Sequence, residues 1–236
     1  MSLKNWDNKT WLSSKNYIQS FNSFLTKIVP LDSNSKILDI GCGRGKILGS
    51  LSSKLRLKYK PIGIDLVNHK DKDRRILFKK IDALSFLSSN KKKFDLILIK
   101  QTIHFLKLSN IKSFVFNLKK KLTPKGKILI LTLNPHKNEF PIFPLMKKKL
   151  SKSLKRDMRI LNLISNFHHK KEIKYFSYNV KISKKKYIDM ISKKFISILL
   201  KLNSKQIFSG INEINVKYKK NFKFKDKLVC IIIKNN

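Results

Sequence analysis

Seven consecutive residues, Asp39-Ile40-Gly41-Cys42-Gly43-Arg44-Gly45, set three glycines at alternate positions two residues after a carboxylate. Glycine accepts left-handed backbone and close approach of a ligand, so such a turn between a strand and a helix can hold a nucleotide-like molecule against the main chain. A side chain at these positions is expected to collide with the bound molecule. Ordinary turns and several kinds of nucleotide site use the same composition. The spacing is neither the G-x-G-x-x-G of dinucleotide binders nor a phosphate loop, for no Gly-Lys-Ser/Thr follows.

Two further carboxylates sharpen the reading. Gly63-Ile64-Asp65 closes the next apolar run and is followed by Leu66, while Ile81-Asp82-Ala83 closes the one after it. An acid at the second strand end accepts hydrogen bonds from ribose hydroxyls, and an acid at the third lies near an adenine amine. Asp39, Asp65 and Asp82 thus fall at three successive strand ends in a chain with only 14 acidic residues. The fourth apolar run leads into Lys100-Gln101-Thr102-Ile103-His104, where His104 is the candidate catalytic residue because it titrates near neutral pH. Equally open is a His104 that only packs or hydrogen-bonds beneath the ligand. Cys42 and Cys230 are the only cysteines; His168-His169, and His69 beside Asp71 and Asp73, read as solvated segments, so no metal site is expected.

These residues need a frame. Apolar residues at helical spacing from Trp11 to Ile28, with Asp7 or Asn8 as cap, predict a helix that Pro30 ends. Strands are predicted over 36–40, 61–64, 76–81, 94–99 and 127–133, with helices over 47–55 and 111–122 between them. Alternation of this kind makes a doubly wound, mostly parallel α/β sheet with helices on both faces. After Asn134-Pro135 the pattern changes to a basic helix over 143–167, a strand over 175–182, helical stripes over 187–202 and from Ile207 to Tyr218, and a last strand over 222–233. One domain is expected: an N-terminal helical cap (1–34), a ligand-binding core (35–134), and a basic helical cap with the final strands (135–236).

The order resembles the class I S-adenosylmethionine-dependent methyltransferase family, over about residues 35–132. Phe94-Asp95-Leu96-Ile97-Leu98-Ile99 and the Leu122-Thr123-Pro124-Lys125-Gly126 lead-in to the fifth strand extend the match, with Lys125 where the family often has glycine. Nearer still is the small-molecule branch of trans-aconitate type, where a helix with Trp precedes the core. The resemblance implies a three-layer Rossmann-like sheet of seven strands, the last antiparallel, with S-adenosylmethionine as cofactor. It assigns Asp39, Gly41, Cys42 and Gly43 to the methionine pocket, Asp65 and Leu66 to the ribose, Asp82 and Ala83 to the adenine, and the Lys100 and Gln101 backbone to the methionine end. Gly45 lets helix and strand pack. Trp11 is expected to cover the cofactor and Lys15 to meet its carboxylate, with the alternative that Trp11, an aromatic at helical spacing, is part of the core.

The formal charge is +40, carried by 54 Lys and Arg. Such a surface attracts polyanions, so RNA methylation is the runner-up to a small-molecule acceptor, itself expected to be a carboxylate or other anion welcomed by the basic cap over 143–202. Against RNA, Lys100-Gln101-Thr102-Ile103 is not the Asn/Asp-Pro-Pro-Tyr/Phe loop of amino-methylating nucleic-acid enzymes, and no Pro-Cys nucleophile is present. A catalytically silent binding protein is the third reading. No apolar run reaches the ~18–20 residues of a membrane span, no signal peptide is read at Met1, and a cytoplasmic protein is the default expectation.

Overall fold

The computed structural model describes residues 10–137, 139–167 and 171–235. His168-His169 and the Asp7 or Asn8 cap lie outside the described residues. Seven strands form one sheet in the order β3-β2-β1-β4-β5-β7-β6. They are β1 (Ile37–Ile40), β2 (Ile62–Asp65), β3 (Leu77–Lys80), β4 (Phe94–Lys100), β5 (Leu122–Leu133), β6 (Lys171–Ile182) and β7 (Phe222–Lys234). β7 lies antiparallel to both β5 and β6, and the other pairings are parallel.

The helices are α1 (Lys15–Ile28), α2 (Lys46–Leu55), α3 (Ala83–Ser89), α4 (Ile111–Lys119), α5 (Pro144–Phe167), α6 (Lys184–Ser192) and α7 (Ser204–Lys217). The central strands are mostly apolar because both faces are covered, with Asp39 of β1 a buried exception. Leu96, Leu98, Leu129 and Leu131 point to one core with α1, α2, α6 and α7, while Ile97, Ile99, Ile128 and Ile130 point to the other with α3 and α4. α5 serves both: Met146 and Leu150 join the first core, and Ile160, Leu161 and Ile164 the second. At ~1.5–3 kcal/mol per buried aliphatic side chain, these two layers hold the strand ends that carry the acids.

Several element ends differ from the pattern-based expectation for local reasons. The first helix starts at Lys15, not Trp11, because Ser14 is extended and its Oγ accepts the Tyr17 N–H; residues Trp11–Ser13 form a separate 3-10 turn. α3 escaped the periodicity and is set by Asp82, whose carboxylate caps it through the Ser85 N–H at 2.9 Å. The predicted 187–202 helix is two pieces. α6 starts early on the Ser183 cap and stops where Lys194 turns left-handed (φ 55°), with the Phe195 N–H reaching back to the Met190 carbonyl. A 3-10 segment, Ser197–Lys201, follows. Among the described residues no helix is long and apolar enough to cross a membrane.

Candidate functional site

β1 lies between β2 and β4, so the connections leaving it diverge to opposite faces and leave a crevice at the carboxyl ends of the strands. A cavity of about 490 Å³ opens there, within the ~300–1,000 Å³ of small-molecule sites. Asp39, Gly41, Cys42, Gly43, Asp65, Leu66, Asp82, Ala83, Lys100 and Gln101 all line it.

The glycine turn is held by main-chain bonds. The N–H groups of Gly41 and Cys42 both donate to the Ile64 carbonyl, at 2.8 and 3.0 Å, tying the turn to the end of β2. Gly41, Gly43 and Gly45 have φ of 75°, 54° and 69°, a region in which a Cβ costs about 1–2 kcal/mol. The collision that excludes a side chain at Gly41 differs from the one expected: a Cβ would stand 2.2 Å from Thr102 Oγ1. Glycine there lets the loop after β4 close onto the loop after β1. At Gly45 the conflict is with Ile76, at 2.1 Å, the helix-to-strand packing expected of it.

Asp65 reaches back to the turn, its Oδ2 accepting the Gly43 N–H at 2.8 Å and its Oδ1 the Val67 N–H at 2.9 Å. A carboxylate has about four acceptor sites, so acceptor capacity remains for a ligand. Asp39 is 5% exposed. Burial raises its carboxyl to about 7, against the opposing pull of Lys100, while Asp65 pushes it further up. Lys100 Nζ donates to Gln101 Oε1 at 2.9 Å and lies over the rings of Tyr17 and Phe21. Gln101 is left-handed (φ 54°) and its N–H donates to the Leu131 carbonyl at 2.7 Å.

Trp11 and Lys15 are the exceptions to the expected assignment. Neither lines this cavity. Lys15 is exposed on the first turn of α1. Trp11 is 6% exposed, wedged edge-on among Phe140, Phe195 and Phe224, and its indole N–H donates to Asp226 Oδ2 at 3.0 Å. It forms the wall of a second cavity, of about 60 Å³, which shares Leu12, Gln101 and Phe105 with the first.

His104 belongs to this second cavity. Burial, and then Arg156, lower its pKa to about 4, so the expectation that it titrates near neutral pH is corrected: the ring is neutral there. Its Nε2 is buried without a hydrogen-bond partner among the described residues. Two acids that sequence reading missed, Asp157 of α5 and Asp226 of β7, line the same cavity. Both are signalled in retrospect. Asp226 continues the inward alternation of Phe222 and Phe224, and Asp157 continues the apolar stripe of Met146 and Leu150. His69 is a further correction, being 3% exposed on the wall of the first cavity rather than solvated. Nearby, buried Arg44 pairs with Asp71 at 2.7 Å, and Arg75 holds Asp73.

The basic cap also differs from expectation. Lys147, Lys148, Lys152 and Lys155 of α5 are exposed, while the stripe facing the second cavity is Leu150, Leu154 and Asp157. The cap presents both Asp157 and Lys194 to the second cavity.

A family model described as a methyltransferase domain matches residues 14–177. The plantazolicin methyltransferase BpumL, solved with a pentazolic desmethylPZN analog and SAH, is 18% identical with a TM-score of 0.56, over 98% of this chain and 89% of its own. A putative methyltransferase from an antibiotic biosynthesis pathway of Anabaena variabilis gives a TM-score of 0.60 at 12% identity, over 89% of this chain and 95% of that one. The precorrin-6y C5,15-methyltransferase of Geobacter metallireducens gives 0.52 at 12% identity, over 98% and 96%. At such identities the likeness is one of fold. No curated protein matches the chain.

Proposed function

The chain belongs to the methyltransferase domain family, and from that premise we propose that it transfers the methyl group of S-adenosylmethionine to a small organic acceptor seated in the second cavity. The observation that carries the reading is the order of groups along the 490 Å³ cavity. Following the strand order β3-β2-β1-β4, the lining runs from the Asp82-Ala83 corner after β3, through Asp65 of β2 anchored to the glycine turn and buried Asp39 of β1, to Lys100 and Gln101 after β4, with apolar Ile81, Ile103 and Phe114 also on the wall. That donor set suits a long molecule with a cationic end, a diol and a flat heterocycle. When bound, S-adenosylmethionine supplies a methyl group already activated by its sulfonium.

The protein's share is alignment and exclusion of water. Asp65 accepts from the two ribose hydroxyls with the acceptor sites left free by Gly43 and Val67. Asp82 and the Ala83 N–H hold the adenine edge, with Asp82 kept ionised because the Ser85 hydrogen bonds hold its carboxyl below the usual range. The Gly41–Gly43 main chain and the Lys100-Gln101 backbone bound the methionine end, with Asp39 beneath them. Leu12, Gln101 and Phe105 line both cavities and would bound the passage between a cofactor in the first and an acceptor in the second. His104, neutral and half-buried with its Nε2 turned inward, would act as a hydrogen-bond partner for the acceptor, not as a base that titrates near neutral pH.

Structures of the BpumL enzyme contain SAH, and S-adenosylhomocysteine is the probe of choice because it cannot turn over. Calorimetric titration of the intact chain is expected to give one-site binding at micromolar concentration; absence of heat at high micromolar concentration overturns the reading.

A further inference from the structure

The second cavity holds a combination that packing alone does not require. Asp157 is 5% exposed and Asp226 is 1% exposed; Asp157 Oδ1 and His104 Nε2 have no hydrogen-bond partner among the described residues, and Asp226 Oδ1 meets only the nearby Tyr17 hydroxyl beyond hydrogen-bond geometry. All three residues line one cavity of about 60 Å³, which admits roughly four water-sized groups and so fits the end of a molecule rather than the whole of it. Leaving one buried carboxylate oxygen unpaired costs free energy, and leaving it in one cavity with a neutral imidazole concentrates that cost on a single ligand.

The neighbouring cations are committed elsewhere. Lys194 Nζ donates to the Leu202 carbonyl at 2.6 Å, Arg156 to the Leu106 carbonyl at 2.7 Å, and Lys100 to Gln101. Burial raises the carboxyls of both Asp226 and Asp157, with Lys100 and Arg156 pulling the other way through space. Trp11 fixes one side of Asp226 by its indole N–H, and the buried Tyr17 hydroxyl stands against the same carboxylate, so Asp157 is the acid with an oxygen left open to the cavity. The same cavity is also lined by Trp11, Phe140 and Phe195, and an aromatic wall attracts a cation further.

We propose that this cavity is a cation-recognition subsite, in which Asp157 and Asp226 grip the ammonium or guanidinium end of the methyl acceptor. The inference rests on the adjoining cavity being the cofactor site, because the shared residues Gln101 and Phe105 then place the remainder of the acceptor against the methyl group. Asp157 and Asp226 take the donor N–H groups of the cation, His104 Nε2 either accepts a further N–H or, in its other tautomer, donates to the acceptor, and the aromatic walls cover the adjoining carbons. The acceptor is therefore a small organic cation, drawn into an acidic pocket inside a strongly basic protein.

The test exploits Trp11, one of only two tryptophans in the chain. In ¹⁵N-labelled full-length protein saturated with S-adenosylhomocysteine, the Trp11 indole resonance, assigned through Trp11→Phe, is followed while benzylamine, butylguanidine, benzyl alcohol or butyrate is added at millimolar concentration. The two cations are expected to shift it and to bind at least about tenfold more tightly than the alcohol, as charge-assisted hydrogen bonds require. Butyrate is expected to leave it in place. Asp157→Asn, with Asp226→Asn as the second variant, should remove that preference while S-adenosylhomocysteine affinity stays at the wild-type value, which also reports an intact fold. Equal binding of amine and alcohol, preference for butyrate, or no response to any cation overturns the inference and leaves the methyltransferase reading standing. Cation binding without S-adenosylhomocysteine binding keeps the subsite and overturns the cofactor reading.

Discussion

The two cavities that meet at Gln101 are built by different means. The larger one is local: the acid, the glycine turn and the next two acids lie within residues 39–83, each at the end of a strand whose place in the sheet is forced by the crossover rule. The smaller one is assembled from distant pieces, with Trp11 bonding Asp226 across 215 positions and α5, the segment after α6 and β7 closing around them. Main-chain geometry shapes the first, and side chains on the added elements shape the second. A site made of backbone tolerates change outside its motif, whereas a site made of side chains can be retuned by single substitutions.

That contrast breaks first at Asp65. Asp65→Ala is expected to weaken S-adenosylhomocysteine about 100-fold, the loss of two charge-assisted hydrogen bonds at ~1.5 kcal/mol each, measured by calorimetry. Amine binding in the second cavity should be unchanged. Next comes Gly41→Ala, where the left-handed backbone and the Thr102 contact together cost about 3 kcal/mol. Thermal melting should fall by roughly 10 °C, and cofactor affinity should fall with it because the two loops can no longer close.

The smaller cavity responds in the opposite sense. Burial raises the Asp157 carboxyl from 3.8 to about 6, with Arg156 pulling the other way. In the folded state it therefore keeps its proton to higher pH than in the unfolded state. Stability is complete below 3.8, is lost as pH rises toward 6, and the deficit is full above it. Asp157→Asn should recover up to about 3 kcal/mol at pH 8 and nothing once pH falls below the unfolded value. Melting curves at several pH values read this gain, and a wild-type advantage at pH 8 would contradict it. A subsite that stabilises the fold when neutralised, yet loses its cation, is one in which binding outweighs stability.

Legibility in the sequence follows the same division. The mostly parallel doubly wound sheet is readable because apolar runs alternate with helical stripes, and Asp39, Asp65 and Asp82 fall at or beside strand ends in a simple count; the strand order is seen only in the structure. α3 was not readable, since seven residues carry too little periodicity and the deciding feature is the Asp82 cap. The break at Lys194 was hidden because a lysine gives no turn signal, although its backbone is left-handed there. For Trp11 the sequence leaves cofactor cover and core side by side, because its partners Phe140, Phe195 and Phe224 are brought to it only by the tertiary fold. Asp157 and Asp226 were visible as polar residues on otherwise apolar faces, the kind of local inconsistency that marks a functional position. The lysine-rich composition drew attention away from them.

The most direct test sets the two cavities against each other in one calorimetric square: S-adenosylhomocysteine and benzylamine titrated separately into Asp65→Ala and into Asp157→Asn. The account predicts a crossed pattern, with Asp65→Ala losing the nucleoside and keeping the amine, and Asp157→Asn keeping the nucleoside and losing the amine. Loss of both ligands in both variants, or loss of the nucleoside on Asp157→Asn alone, would contradict it.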